Sequence, residues 1–81
     1  MIGNTISTEH PYNITSTIIS EREIEVLTLT SHGFSTQEIA DQLYLSGDTI
    51  KTHRKNLMIK LKARNAAHLV RKGIEYQLIA S

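Results

Sequence analysis

LSGDTIKTHRKNLMIKL, residues 45–61, is the stretch that decides how this chain folds. At 3.6 residues per turn Ile50, Leu57 and Leu61 fall on one face, with His53 and Arg54 filling the turn between them. Lys51, Thr52, Lys55 and Lys62 point the other way. The pattern predicts a helix packed on one side and cationic on the other. Ser46 is a good N-cap, and Leu45 and Ile50 stand where two apolar side chains can staple the helix entry. Alone, the same pattern would suit a solvated amphipathic helix; the residues before it decide otherwise.

One device recurs along those residues. Ile19-Ser20 is followed by Glu23 and Ile24, Phe34-Ser35 by Glu38 and Ile39, and Leu45-Ser46 by Thr49 and Ile50. Each set is an apolar residue, a serine cap, a polar residue at the third helical position and an apolar one at the fourth. In the first two, serine and glutamate satisfy each other's orphaned backbone N–H groups, a cap worth about 1 kcal/mol. Three such starts predict three helices: about Glu21 to Ser31, about Thr36 to Leu43, and about Gly47 to Leu61.

Ile24, Val26 and Leu27 are the expected core of the first helix, and Ile39, Ala40 and Leu43 that of the second. Gly33 suits the left-handed close of the first helix. The connection Tyr44 to Ser46 is tight and lacks the usual glycine, so Tyr44 must manage that backbone. A short helix, a tight connection and a longer helix make a helix-turn-helix. Asn65 caps a fourth helix, about Ala66 to Leu78, with an apolar stripe Ala67, Val70, Ile74 and Leu78. A second group, Ala66, Leu69 and Gly73, widens its apolar face beyond what a small core needs, which points to a partner surface and most simply to a second copy.

Composition narrows the function. Eighty-one residues make one domain that buries about 60% of its unfolded surface, leaving little room for an enclosed active site. Neither a nucleophile–base pair nor a phosphate-binding loop is present, so no enzyme is expected. Without cysteine there is no disulfide framework or thiolate metal site. His10, His32, His53 and His68 lie in different elements, and neither a metal nor any cofactor is expected. No apolar run approaches the roughly 20 residues that span a bilayer, and MIGNTISTEH lacks a signal-peptide pattern, so no membrane is expected and a cytoplasmic setting is. Residues 1–18, interrupted by Pro11, show no helical or alternating pattern and read as a flexible tail; the acceptor pattern at Asn13 is taken as coincidence.

The net charge of +1 hides a lopsided chain. Residues 1–47 carry Arg22 against six acids, whereas residues 48–75 carry eight bases against Asp48 and Glu75. A concentrated basic half is the footprint of a protein that docks on a polyanion, nucleic acid foremost.

Four groups of residues then fall into one order: Ser20-Glu21-Arg22-Glu23-Ile24-Glu25-Val26-Leu27; Gly33 and Ser35 with Glu38-Ile39-Ala40 and Leu43; Leu45-Ser46 with Thr49-Ile50-Lys51-Thr52-His53; and Asn56-Leu57 with Lys60-Leu61. In order and spacing they resemble the LuxR/GerE-type helix-turn-helix domain of bacterial transcription regulators, over about Ile19 to Gln77. The chain departs from that pattern at Ile19-Ser20, where Leu-Thr is usual, at Lys62, where glycine is common, and at Ala66, where an arginine often follows the asparagine.

The resemblance implies an all-α, four-helix domain over residues 19–81, with the third helix in the major groove of double-stranded DNA and the fourth pairing two copies into a homodimer. By position Lys51, Thr52 and Lys55 would read base edges, in agreement with the helical wheel. Ser35, Thr36, Thr49, His53, Arg54, Lys62 and Arg64 would meet phosphates. Lys60 is expected to pair with a first-helix glutamate instead, and Arg54 could equally bridge to an acid. The dimer surface would be Ala66, Leu69, Val70, Gly73, Ile74 and Gln77, the operator an inverted repeat, and RNA polymerase a further candidate partner. Two other readings stay open. One is a sigma-factor-like promoter-binding domain, against which the fourth helix argues; the other is a protein-interaction module that kept the fold without DNA binding. Whether the chain stands alone or closes a longer protein is equally open.

Overall fold

The computed structural model describes residues 18–80 and forms four helices there, α1 (Glu21–Ser31), α2 (Thr36–Leu43), α3 (Gly47–Leu61) and α4 (Ala66–Glu75), with no strand among the described residues. The tail expected over 1–18, with His10, Pro11 and Asn13, lies outside the described residues except for Ile18.

The helix starts follow the serine device. Ser20 Oγ accepts the Glu23 N–H at 3.1 Å while Glu23 Oε1 accepts the Ser20 N–H at 2.9 Å. The Ser35–Glu38 box repeats this at 3.2 and 2.8 Å. Ser46 Oγ accepts the Thr49 N–H at 3.1 Å and lies 2.9 Å from Thr49 Oγ1, and Asn65 Oδ1 accepts the His68 N–H at 2.9 Å. Local chemistry therefore fixes all four starts.

The helix ends share a second device. A left-handed residue stands after each helix: Gly33 (φ 92°), Tyr44 (58°), Lys62 (56°) and Gln77 (62°). The residue following it returns its N–H to a carbonyl five positions back, Phe34 to Leu29 at 3.2 Å, Leu45 to Ala40 at 2.9 Å, Ala63 to Met58 at 2.9 Å and Leu78 to Gly73 at 2.8 Å. This wrap satisfies carbonyls that the helix leaves orphaned. Only the first uses glycine; the others hold a side chain in a region that costs roughly 1–2 kcal/mol. The last wrap ends α4 at Glu75, three residues short of the expected Leu78, so Leu78 packs against the core from beyond the helix.

The core is Val26 and Leu27 of α1, Ile39 and Ala40 of α2, Ile50, Leu57 and Leu61 of α3, and Leu69 of α4. α3 lies at its centre, packed against α1, α2 and α4. Ala40 brings α2 close to α3, and Gly73 does the same for α4 and α1: a Cβ built on Gly73 would stand 2.8 Å from Leu27 Cδ2. This corrects the expected faces of α4. Leu69 and Gly73, assigned from sequence to the dimer surface, are buried inside the single copy, while Ala67, assigned to the inner stripe, is exposed. Val70 and Ile74 are half-buried.

Candidate nucleic-acid interface

Three buried side chains, Ile50, Leu57 and Leu61, anchor α3 and fix which of its residues face out. Lys51, Thr52 and Lys55 are exposed side by side on the opposite face, one turn from the Ser46 cap. Held by a packed helix rather than a loop, they form a stripe of donors and one methyl group that can approach a grooved polyanion without rearrangement.

The start of α2 is tied to this helix. Arg54 Nη1 donates to Thr36 Oγ1 at 2.6 Å, so two residues expected to meet phosphates are in direct contact. Arg54 bridges to this hydroxyl rather than to an acid. Its Nε is buried and has no partner among the described residues, a donor that an anion between α2 and α3 would satisfy. Ser35 contributes less than its sequence position implies. Its N–H is occupied by the Glu38 carboxylate and its oxygen accepts the Glu38 N–H, which leaves the hydroxyl proton as its remaining donor. Thr49 shares its hydroxyl with Ser46, and His53 is half-buried at the edge of the core.

The cations of the basic half sort into two groups. Lys60 Nζ lies 2.8 and 3.0 Å from the two carboxylate oxygens of Glu23 and 2.9 Å from the Ile18 carbonyl, so it locks α3 to α1 as expected. Arg71 pairs with Glu75 at 3.3 Å, and Lys72 sits 5.9 Å from the Tyr76 ring centre. Lys51, Arg54, Lys55, Lys62 and Arg64 have no carboxylate partner among the described residues, and all five belong to α3 or the turn that closes it. Lys72 of α4 also lacks one, so five of the six uncompensated cations lie on α3 or in the turn that closes it.

The family described as "Bacterial regulatory proteins, luxR family" matches residues 17–72, the greater part of the chain. The chain belongs to the LuxR family of bacterial regulatory proteins. Over 76 residues it is 32% identical to the oxygen regulatory protein NreC of Staphylococcus aureus (strain bovine RF122 / ET3-1), covering 94% of this chain and 33% of that protein. NreC of Staphylococcus haemolyticus (strain JCSC1435) is 31% identical over 74 residues, 91% of this chain and 32% of that protein. The chain therefore spans about a third of the length of these relatives.

Membership of the LuxR family makes this a helix-turn-helix DNA-binding domain of transcription regulation, a binding domain rather than an enzymatic one. No helix among the described residues is long and apolar enough to cross a membrane, and no group of three His, Asp or Glu side chains there could hold a metal ion. The LuxR-type pattern does not account for Ile59, which sequence reasoning passed over. It is 66% exposed, four residues on from Lys55 on the cationic helix. Its spacing from Lys55 and from Thr52 was the available signal, since both intervals return to the outward face.

Proposed function

We propose that this chain is the sequence-specific reader of double-stranded DNA in a dimeric transcription regulator acting at the bacterial nucleoid in the cytoplasm. α3 enters the major groove. Lys51 and Lys55 donate to guanine O6 and N7, and the Thr52 methyl meets a thymine methyl. Thr36, Arg54 and the first N–H groups of α2 hold one phosphate, with the Ser35 hydroxyl beside them, and Thr49, His53, Lys62 and Arg64 contact others. Two copies pair through the outward face of α4, where Ala67, Val70 and Ile74 recur at helical spacing, flanked by Ala66 and Gln77. Two α3 helices then read inverted half-sites about one helical turn apart.

The observation that supports this most is the exposed trio Lys51, Thr52 and Lys55 on a helix whose other face sets Ile50, Leu57 and Leu61 in the core. Fluorescence anisotropy on a mixed-sequence duplex across a salt series, followed by selection of bound duplexes, is the test. The expected result is affinity that falls by about 0.9 logarithmic units per tenfold rise in salt for each phosphate neutralised, and enrichment of inverted half-sites. Salt-sensitive binding without enrichment would leave backbone docking alone and remove the base-reading roles. No binding at low salt would remove DNA altogether.

A further inference from the structure

Asp48 stands in the middle of the cationic face of α3. It is exposed and is the second of the fifteen residues of that helix. The buried Leu57 lies about two and a half turns further on, so the Asp48 side chain leaves the helix opposite the core. Lys51, Thr52 and Lys55 follow Asp48 at i+3, i+4 and i+7, the spacing of one helical stripe. Of the two acids among residues 48–75, Glu75 is paired with Arg71 at 3.3 Å, whereas Asp48 has no cation partner among the described residues.

An acid in the first turn of a helix complements the dipole. Any position of that turn serves this purpose, and the dipole does not require the one that faces straight out among the lysines. On a surface that meets a polyanion such a position is unfavourable, because a carboxylate is repelled by phosphates and by every base edge that offers it only acceptors. In the major groove guanine presents O6 and N7 and thymine presents O4, all acceptors. Adenine sets its N6 donor beside the N7 acceptor, and cytosine alone presents an amino group, N4, with no acceptor next to it. The place along the axis suits the same contact, since recognition helices touch bases with their N-terminal residues.

We propose that Asp48 is a specificity-determining residue, accepting a hydrogen from cytosine N4 in each half-site and rejecting the other three bases at that pair. This contact rests on the reading of α3 as the major-groove helix. It adds a discrimination that the lysines do not supply. An ammonium on a flexible stem favours guanine but also reaches thymine O4 or adenine N7. Specificity is a difference between affinities, and a carboxylate held against an acceptor edge weakens the wrong site.

The test uses the 81-residue chain with Asp48→Ala and Asp48→Asn. Duplexes bound by each are selected from a randomised pool. The selected wild-type site is then remade with thymine, or with pyrimidin-2-one, which lacks the N4 amino group, in place of each cytosine, and titrated by fluorescence anisotropy. The expected result is one cytosine in each half-site at which either replacement weakens the wild type about tenfold and leaves Asp48→Ala within about twofold. Asp48→Asn sets a donor beside the acceptor and should move the preference at that pair from cytosine to adenine. Preferences that depend on Lys51 and Lys55 should persist in both variants. The same selected sequence in wild type and Asp48→Ala would overturn the proposal and leave Asp48 to the helix dipole, with the DNA reading intact. So would a loss of affinity for every duplex alike in Asp48→Ala, the mark of a damaged first turn. No enrichment of any sequence by the wild type would remove the base-reading roles of Lys51, Thr52 and Lys55, and the role of Asp48 with them.

Discussion

Arg54 Nη1 on α3 donates to Thr36 Oγ1 at the head of α2 across 2.6 Å, joining the two helices of the helix-turn-helix through residues 18 positions apart. The contact sets the relative position of the α2 N-terminus and the outward face of α3. Thr36→Val keeps the shape and removes the acceptor, leaving a second guanidinium N–H beside the already orphaned Nε. Urea unfolding should show a loss of about 1 kcal/mol. Paired with Arg54→Met in a double-mutant cycle, it should give an interaction energy of at least about 0.5 kcal/mol; additive effects would mean that the bond is not made in solution.

Lys51→Ala and Lys55→Ala should each cost about 1–3 kcal/mol on a selected operator and relax preference at one base pair. Lys62→Ala should weaken binding to every duplex alike and lower the salt slope by about 1. A uniform loss in all three variants would place Lys51 and Lys55 on phosphates.

Glu23 makes stability depend on pH. Burial alone would push its carboxyl up, but hydrogen bonds from Lys60 and from the Ser20 N–H, together with the Lys60 charge, outweigh it and hold the group below the ordinary glutamate value. The folded state therefore holds its proton less tightly than the unfolded chain. The resulting stability is full above the unfolded value and disappears as pH falls through the lower folded one. Glu23→Gln should flatten the acid limb of a Tm-against-pH curve and cost about 2 kcal/mol at neutral pH, tempered by the 30% exposure of the Lys60 side chain. A variant with the wild-type acid limb would assign that limb to other carboxylates.

The helix starts were legible because each cap, Ser20, Ser35, Ser46 or Asn65, accepts an N–H three residues on within one turn, with a glutamate returning the bond in the first two, and no distant residue is needed. The ends of α1, α2 and α3 fell where the sequence placed them, and only that of α4 did not. Gln77 occupies a left-handed position without the glycine that usually announces one, and the expected α4 overran to Leu78 for that reason. The reading stripe Lys51, Thr52 and Lys55 followed from the helical wheel, since α3 is amphipathic about a single core face. In α4 both Leu69 and Val70 begin apolar stripes, and Gly73, which decides between them by letting Leu27 approach, contributes no hydropathy of its own. The Thr36–Arg54 bond joins two elements, so spacing within either helix could not reveal it.

Tyr44→Gly should stabilise the domain. Tyr44 is 94% exposed and left-handed, so its ring gives almost no burial while its backbone is strained. Relief of that strain, less the extra entropy glycine has when unfolded, should leave a gain of about 0.5–1 kcal/mol in thermal unfolding. A loss instead would show that the tyrosine ring packs in solution.

The two faces of α4 can be separated by substitution. Gly73→Val drives a branched side chain into the space where Leu27 Cδ2 stands 2.8 Å and Ile79 Cδ1 3.3 Å from an added Cβ, and both belong to the packed core or its edge. It should lower stability by roughly 1–3 kcal/mol at any protein concentration. Ala67→Glu lies on the exposed face and should leave the unfolding of the single copy within about 0.5 kcal/mol. In sedimentation velocity it should abolish self-association, and with it the cooperative binding of paired half-sites, while single half-sites are still bound. Intact association in Ala67→Glu would move the pairing surface off α4, because the other face of that helix is already filled by Leu69 and Gly73 against the core.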